Sequence, residues 1–157
     1  MDIFIKLIIG CVLFFQFCSC TDTYTICEVD KNVNERTGFY RIVAGVEQVA
    51  YPPSFTLLLV GGTSPIYSNL STISKFNLPL NPLVDSAKYQ LFVYPNSSPD
   101  TVTFVYGSQP YTINPDCGGI YVFNLTRVSI TRHHIDSAKI INATINNVSG
   151  ENLKIYF

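Results

Sequence analysis

The amino-acid sequence predicts an all-β protein, an antiparallel β-sandwich of roughly seven to nine strands with an immunoglobulin-like arrangement. The first observation behind this prediction is a succession of short apolar runs, each bounded by Pro, Gly, Asn or Asp. The second is that no window has the i, i+3, i+4, i+7 spacing of a long amphipathic helix. The third is a composition rich in Val, Ile, Thr, Tyr and Phe, which favours strands over helices.

The predicted strands follow the apolar runs in chain order. They are "FYRIVAGVEQVAY", "SFTLLLVGG", "SPIYSNL", "ISKFNLPL", "KYQLFVYP", "DTVTFVYG", "QPYTI", "GGIYVFNLTRVSITR", "AKIINATINNV" and "NLKIYF". In "TVTFVYG" the residues Val102, Phe104 and Tyr106 fall on one face, which is the period of a half-buried strand, and "NLKIYF" alternates in the same way. Residues 57–60 are apolar at every position, which predicts a central strand covered on both sides.

The 157 residues suffice for one domain with a real core and are too few for two domains of usual size. We expect a signal peptide at 1–19, a lipidated N-terminus and linker at 20–38, and a single β-sandwich domain at 39–157. The linker is placed there because "DKNVNERTG" is polar and has no apolar run.

The N-terminus has the layout of a secretory signal peptide. A short start containing Lys6 precedes the apolar run "LIIGCVLFFQF" and the small residues "SC". An uncleaved anchor helix is the alternative. Cys20 lies at the end of this run, where a lipoprotein is cut before its lipid-bearing cysteine. Cys11 in "IIGC" fits the lipoprotein pattern better, but too few apolar residues precede it. We therefore predict that Cys20 carries the lipid, which would tether the protein to a membrane.

Cysteine usage then leaves two thiols in the mature chain, Cys27 and Cys117, if Cys11 and Cys18 depart with the signal peptide. Because the compartment is oxidising, we predict that Cys27 and Cys117 form a disulfide. Two unpaired buried thiols are the alternative.

The candidate chemical groups form no catalytic set. His133 and His134 are the two histidines, with Asp136 close behind, but adjacent residues of a strand point to opposite faces and do not easily share a metal ion. "VGGTSP" lacks the spacing and the Lys of a P-loop, and the aspartates stand in turn contexts. We predict no enzyme activity and no cofactor or metal. Only 13% of residues are charged and the net charge is −1, so nucleic acid is not an expected partner.

Two further sets of residues leave alternatives open. Five N-x-[ST] triplets begin at Asn69, Asn96, Asn124, Asn142 and Asn147, which in a eukaryotic secreted protein are glycan acceptors. Composition alone accounts for some of them. Tyrosines in or beside predicted loops either contact a partner or merely border the core. They are Tyr24, Tyr51, Tyr67, Tyr94 and Tyr111.

The chain resembles a family of small uncharacterised lipoproteins of Bacteroidetes bacteria, a domain family of unknown function. The resemblance rests on Cys27 soon after the lipid cysteine, on "FNLPLNPLVDSAKYQLFV", on "TVTFVYGSQPYTINPDCGG" with Cys117 before glycine, and on the closing "ATINNVSGENLKIYF". It implies a cell-envelope lipoprotein with paired cysteines. It supplies no catalytic residues.

We therefore expect a non-enzymatic cell-envelope lipoprotein, either structural or binding a partner through loops or a sheet edge. Its expected partners are the membrane, through the N-terminal lipid, and an envelope protein or glycan. The start "TDTYT" carries a single acid rather than an acidic cluster, which favours the periplasmic face of the outer membrane. The alternative is a secreted, glycosylated β-sandwich module used in adhesion. Hydrolysis of envelope glycans is a third hypothesis, resting on compartment alone.

Overall fold

The computed structural model describes residues 27–148 and 150–157, and this part of the chain is a β-sandwich of two sheets. The all-β sandwich predicted from the sequence is confirmed. Eleven strands are present in this part, in chain order β1 Asn34–Val43, β2 Val46–Val49, β3 Phe55–Leu59, β4 Pro65–Leu70, β5 Lys75–Pro79, β6 Ser86–Phe92, β7 Asp100–Asn114, β8 Gly118–Ile130, β9 Ser137–Ile140, β10 Thr144–Ile145 and β11 Leu153–Tyr156.

The larger sheet contains six antiparallel strands in the order β10-β8-β7-β6-β3-β4. The smaller sheet has the order β2-β1-β11-β9. In this sheet β11 lies along one edge of β1, and β5 and β2 pair with the two halves of its other edge. The segment between β5 and β6 therefore carries the chain from one sheet to the other.

Two details of the predicted sandwich need correction. The smaller sheet is mixed rather than antiparallel, because β1 and β11 run parallel, with Thr37 opposite Leu153 and Tyr40 opposite Tyr156. The strand count exceeds seven to nine because single apolar runs contain two strands. In "FYRIVAGVEQVAY" the pair Ala44–Gly45 has positive φ at both residues, which makes the tight turn of a two-residue hairpin between β1 and β2.

The first strand begins at Asn34, so the polar stretch predicted as a linker as far as residue 38 is already part of the sandwich. Glu35 and Thr37 are buried, whereas Asn34 and Arg36 are half-buried, and Phe39 continues the buried face of Glu35 and Thr37 into the core. The linker prediction was wrong for residues 34–38 because the buried face of this part of the strand consists of polar residues. A search for alternating apolar residues does not detect such a strand.

The core lies between the sheets and includes a cluster of three phenylalanines. Phe39 contacts Phe55 and Phe76, with ring centroids 5.2 and 5.0 Å apart. The predicted alternation in β7 and β11 is confirmed, because Val102, Phe104 and Tyr106 are buried, as are Leu153 and Ile155. The buried face of each of these strands is therefore the face that the alternation of the sequence predicted.

The apolar run 57–60 is not covered on both sides as predicted. Leu57 is fully buried, but Leu59 and Val60 are 42% and 46% exposed. The run is apolar throughout because its far end borders an open cleft rather than a second layer of core.

Candidate functional site

The described residues contain an apolar cleft of about 520 Å³ at one end of the six-stranded sheet. It lies where β3, β4 and β6 meet the connection 80–85 between β5 and β6. Its aliphatic lining consists of Leu59, Val60, Ile66, Pro79, Leu80, Val84 and Ala87. This volume is within the range of about 300–1,000 Å³ typical of ligand sites.

One wall of the cleft comes from the turn after β3. Gly61 has a φ of 85° there, a conformation that favours glycine, and Gly62 N donates a hydrogen bond to Leu59 O at 2.8 Å. Val60 N donates to Lys88 O at 2.9 Å, which holds the turn against β6. The turn thereby leaves the side chains of Leu59 and Val60 facing the cleft rather than the core.

The opposite wall is held by three tyrosine hydroxyls that bond to the backbone of alternate residues. Tyr67 Oη donates to Asn77 O at 3.2 Å and also accepts from Asn77 N. Tyr89 Oη donates to the carbonyl of Pro79, which lies two residues after Asn77. These hydroxyls belong to β4 and β6 of the six-stranded sheet and fix β5 of the other sheet against it.

The third hydroxyl continues the series at the start of the connection 80–85. Tyr106 Oη donates to Asn81 O at 3.2 Å and accepts from Asn81 N at 3.3 Å. The Asn81 side chain in turn accepts from Leu83 N at 2.9 Å, which bends the chain. The bend leaves Leu83 85% exposed beside the cleft, with Val84 in its lining.

The lining contains one charged side chain, Lys88, among the residues that the structure describes there. An ammonium group is a hydrogen-bond donor, and the rest of the lining is mainly aliphatic. This arrangement suits a ligand with an apolar body and one acceptor or negative charge.

Glu35 is a carboxyl group buried in the sandwich interior. Its Oε2 accepts a hydrogen bond from Thr37 Oγ1 at 2.7 Å, and its Oε1 has no partner among the described residues. Burial raises the pKa of Glu35 to about 8, and the nearby Glu151 adds to the effect. The pKa of Tyr89 is raised to about 12, chiefly by burial and also by the charges of Tyr106 and Glu35.

His133 and His134 lie just beyond the end of β8, in a loop organised by a buried aspartate. Asp100 accepts backbone hydrogen bonds from His133, His134 and Ile135 at 2.8 to 3.0 Å. Burial favours a higher pKa for Asp100, but these bonds and the bond from Thr131 outweigh it and lower the pKa. Asp100 thus shapes the loop, and both histidine side chains face outward.

The outer face of the five-stranded sheet carries a network of charged and aromatic side chains. Tyr40 Oη donates to the Glu151 carboxylate at 2.8 Å, and the Lys154 ammonium lies 4.3 Å from the Tyr40 ring centroid. Glu47 pairs with Lys154 and accepts from Tyr156 Oη at 2.6 Å. These groups are occupied with one another, so the cleft is the better candidate for a binding site.

The remaining predicted residues include exposed, half-buried and buried positions, and some lie outside the described residues. Cys20 and Tyr24 lie outside the described residues, as does the predicted signal peptide. Cys27 is joined to Cys117, with Cα atoms 5.2 Å apart. Tyr51, Tyr94 and Tyr111 are exposed, whereas Tyr67 packs against the core and holds β5. Among the asparagines of the N-x-[ST] triplets, Asn147 is half-buried. The other four are exposed, namely Asn69, Asn96, Asn124 and Asn142.

The cleft was not predicted from the sequence. The signal available was the unbroken apolar run 57–60, which was interpreted as core. Among the described residues no three His, Cys, Asp or Glu side chains are grouped so as to hold a metal ion. No helix in residues 27–148 and 150–157 has the length and apolarity needed to cross a membrane.

Residues 54–157 match a protein family described as a family of unknown function, DUF6452. The matched segment begins just before β3 and includes every residue of the cleft lining. No curated protein and no solved structure matches the chain.

Proposed function

The chain belongs to the DUF6452 family of unknown function, and we propose that it is a non-enzymatic cell-envelope lipoprotein that binds an apolar segment of an envelope protein in its cleft. The observation that carries this proposal is the cleft itself, in which aliphatic side chains are left open to solvent. Val60 and Val84 are each 46% exposed and Ile66 is 39% exposed. Contiguous exposed apolar surface of this kind marks interaction sites.

A protein segment fits the cleft better than a glycan does. Seven of the lining residues have aliphatic side chains, and apolar side chains of a partner would gain about 25 cal/mol for each Å² of apolar surface that they remove from water. A carboxylate or carbonyl of the same segment would accept from Lys88. A glycan would leave hydroxyl groups against aliphatic surface without hydrogen-bond partners.

The envelope location rests on the N-terminal sequence. The apolar run ending at "SC" supports export, and Cys20 at its end would carry the lipid. The single acid in "TDTYT" favours the periplasmic face of the outer membrane. Changing Cys20→Ala should release the protein from membranes. Membrane retention of this variant, with a mature N-terminus elsewhere, would contradict the proposal.

Photo-crosslinking in cells tests the cleft. A photoreactive amino acid at Leu83, which is exposed beside the cleft, should give a discrete protein adduct. The adduct should disappear when Val84→Lys places a charge in the lining. The matched control is Val46→Lys, on the exposed strand β2 and 60% exposed in the wild-type protein, which should leave the adduct unchanged. No adduct, or an adduct that survives Val84→Lys, contradicts binding in the cleft.

The second candidate is a secreted, glycosylated adhesion module. It is supported by the exposure of Asn69, Asn96, Asn124 and Asn142, which are accessible to a glycosylating enzyme. The intact mass of the mature protein distinguishes the two candidates. Acyl chains on Cys20 support the lipoprotein, and hexoses on asparagine support the secreted module.

A further inference from the structure

The distal half of the β7–β8 hairpin, residues 107–122, extends beyond the strands that flank its base. On one side β6 pairs with β7 only as far as Val105, and on the other β10 pairs with β8 at Phe123 and Asn124. Residues 107–122, which we call the arm, continue pairing within the hairpin to Asn114 opposite Gly118. From Gly107 to Asn114 the arm is about 24 Å long at 3.4 Å per residue.

The tip of the arm is tied covalently to the N-terminal segment. Cys117 lies in the turn of the hairpin and is bonded to Cys27, 90 residues away in sequence. Cys117 N donates to Asn114 Oδ1 at 2.6 Å, which orders the turn around it. The segment after Cys27 is also held to the body of the domain, because Asn147 Nδ2 donates to Asp30 O at 2.9 Å.

This bond limits how far the arm tip can lie from a lipid on Cys20. Seven residue steps separate Cys20 from Cys27, and in any conformation they span at most about 25 Å. Without the bond, the first residue held to the body of the domain is Asp30, 10 steps and up to about 35 Å from Cys20. The disulfide therefore shortens the tether and moves its attachment point from the body of the domain to the tip of the arm.

We propose that the arm tip faces the membrane that holds the lipid, and that Tyr111 and Tyr121 lie in its headgroup region. This inference rests on the proposed lipid anchor at Cys20. Tyr111 pairs with Ile120 and Pro110 pairs with Tyr121. The two tyrosines therefore lie one residue apart along the length of the arm and on its opposite faces. They are 55% and 45% exposed.

The composition of the arm suits a lipid interface. Asp116 is the one charged residue between 107 and 122. Tyrosine is enriched at membrane–water interfaces because its ring is apolar and its hydroxyl group is polar. Because the two tyrosines lie at nearly the same distance from the tip of a weakly charged hairpin, they would enter the headgroup region together.

The same orientation places the cleft near the membrane. Ser108 Oγ, at the base of the arm, donates to Pro82 O at 2.7 Å, and Tyr106 N donates to Asp85 O at 2.9 Å. The connection that forms one wall of the cleft therefore adjoins the base of the arm. With the tip at the membrane, this base is no more than about 24 Å from it.

Single tryptophans test the orientation, because the chain contains no Trp of its own. Lipidated full-length protein carrying Tyr111→Trp, Tyr121→Trp or Tyr94→Trp is incorporated into phosphatidylethanolamine–phosphatidylglycerol vesicles containing brominated lipid. Tyr94 is the matched control, because it follows the end of β6 that is remote from the arm and is itself exposed. The first two variants should lose fluorescence to the quencher, and the third should not.

A second comparison isolates the tether. Adding Cys27→Ser and Cys117→Ser to Tyr111→Trp should restore the lost fluorescence while the protein still sediments with the vesicles, with circular dichroism showing that it is folded. If this variant does not fold, the three single-tryptophan proteins alone decide. Sedimentation with equal quenching at positions 94 and 111, or none at 111 and 121, overturns the orientation and leaves the lipid anchor standing. Failure of every protein to sediment overturns the anchor and the orientation together.

Discussion

Glu35 is the residue whose protonation should affect folding most. Its pKa is about 8 in the folded protein and 4.5 in the reference state, so the unfolded chain loses this proton at lower pH than the folded protein does. Its contribution to stability is therefore fully present below about pH 4.5 and is lost as the pH rises to about 8. The shift corresponds to a loss of at most about 5 kcal/mol.

The variant Glu35→Gln reproduces the protonated side chain at every pH. We expect its free energy of unfolding, measured in urea, to fall less between pH 5 and pH 8 than that of the wild-type protein. The control is Glu28→Gln, because Glu28 is exposed. Equal slopes for Glu35→Gln and the wild-type protein would show that Glu35 is ionised in the folded state.

Asp100 has the opposite linkage, because hydrogen bonds lower its pKa in the folded protein. Its contribution is present above the unfolded pKa and is lost as the pH falls through the folded one. Asp100→Asn replaces a charged acceptor and turns an amide group toward backbone N–H donors. We expect a loss of about 3 kcal/mol in urea unfolding at pH 7.

Hydrogen exchange locates the effect of Asp100→Asn. The amides of His133, His134 and Ile135 should exchange faster, because each donates to the Asp100 carboxylate. Asp85→Asn is the control, since Asp85 is exposed. Unchanged exchange at these three amides would contradict the role assigned to Asp100.

At the scale of the element, the connection 80–85 depends on Tyr106. Tyr106→Phe removes the hydroxyl that accepts from Asn81 N and donates to Asn81 O, while the ring can remain in the core. We expect a loss of about 1 kcal/mol and faster exchange of the Asn81 amide. The adduct formed from Leu83 should weaken, because the wall of the cleft loosens.

Tyr111→Phe is the matched control for this prediction, because Tyr111 is exposed on the arm and lies outside the cleft. It should leave both the exchange at Asn81 and the adduct unchanged. If both tyrosine variants behave alike, the wall of the cleft does not depend on the Tyr106 hydroxyl.

The arm is the element most affected by the disulfide. The double variant Cys27→Ser, Cys117→Ser opens a loop closed across 90 residues, which in the chain-entropy model lowers the free energy of unfolding by about 4 kcal/mol. Peptide mapping without reductant should first recover Cys27 and Cys117 in one linked peptide pair. Two free thiols in exported protein would refute the pairing.

At the scale of the whole molecule, β11 at the C-terminal end of the described chain pairs with β1 near its N-terminal end. It lies between β1 and β9, and Leu153 and Ile155 are fully buried. Ile155→Ala leaves a cavity between the sheets and should cost about 3 kcal/mol in urea unfolding. Val46→Ala, on exposed β2, should cost less than about 0.5 kcal/mol. Similar losses in the two variants would mean that β11 contributes little to the core.

The strand faces of β7 and β11 and the β-sandwich class were predictable because burial of alternate residues leaves a period of two in the sequence. The strand at Glu35 and Thr37 was not predictable in this way, because polar side chains carry its buried face. The parallel pairing of β1 with β11 was also missed, since a local pattern does not specify which strands become neighbours.

The sequence by itself determined the fold class, because the fold class depends on local periodicity. The sequence also contains Cys27 and Cys117, and it places Cys27 seven residues after Cys20. Tertiary structure alone decided that Leu59, Val60 and Val84 form an open cleft. An apolar side chain facing a cleft and one facing the core have the same chemistry, and only the packing of the surrounding elements determines which of them remains exposed to water.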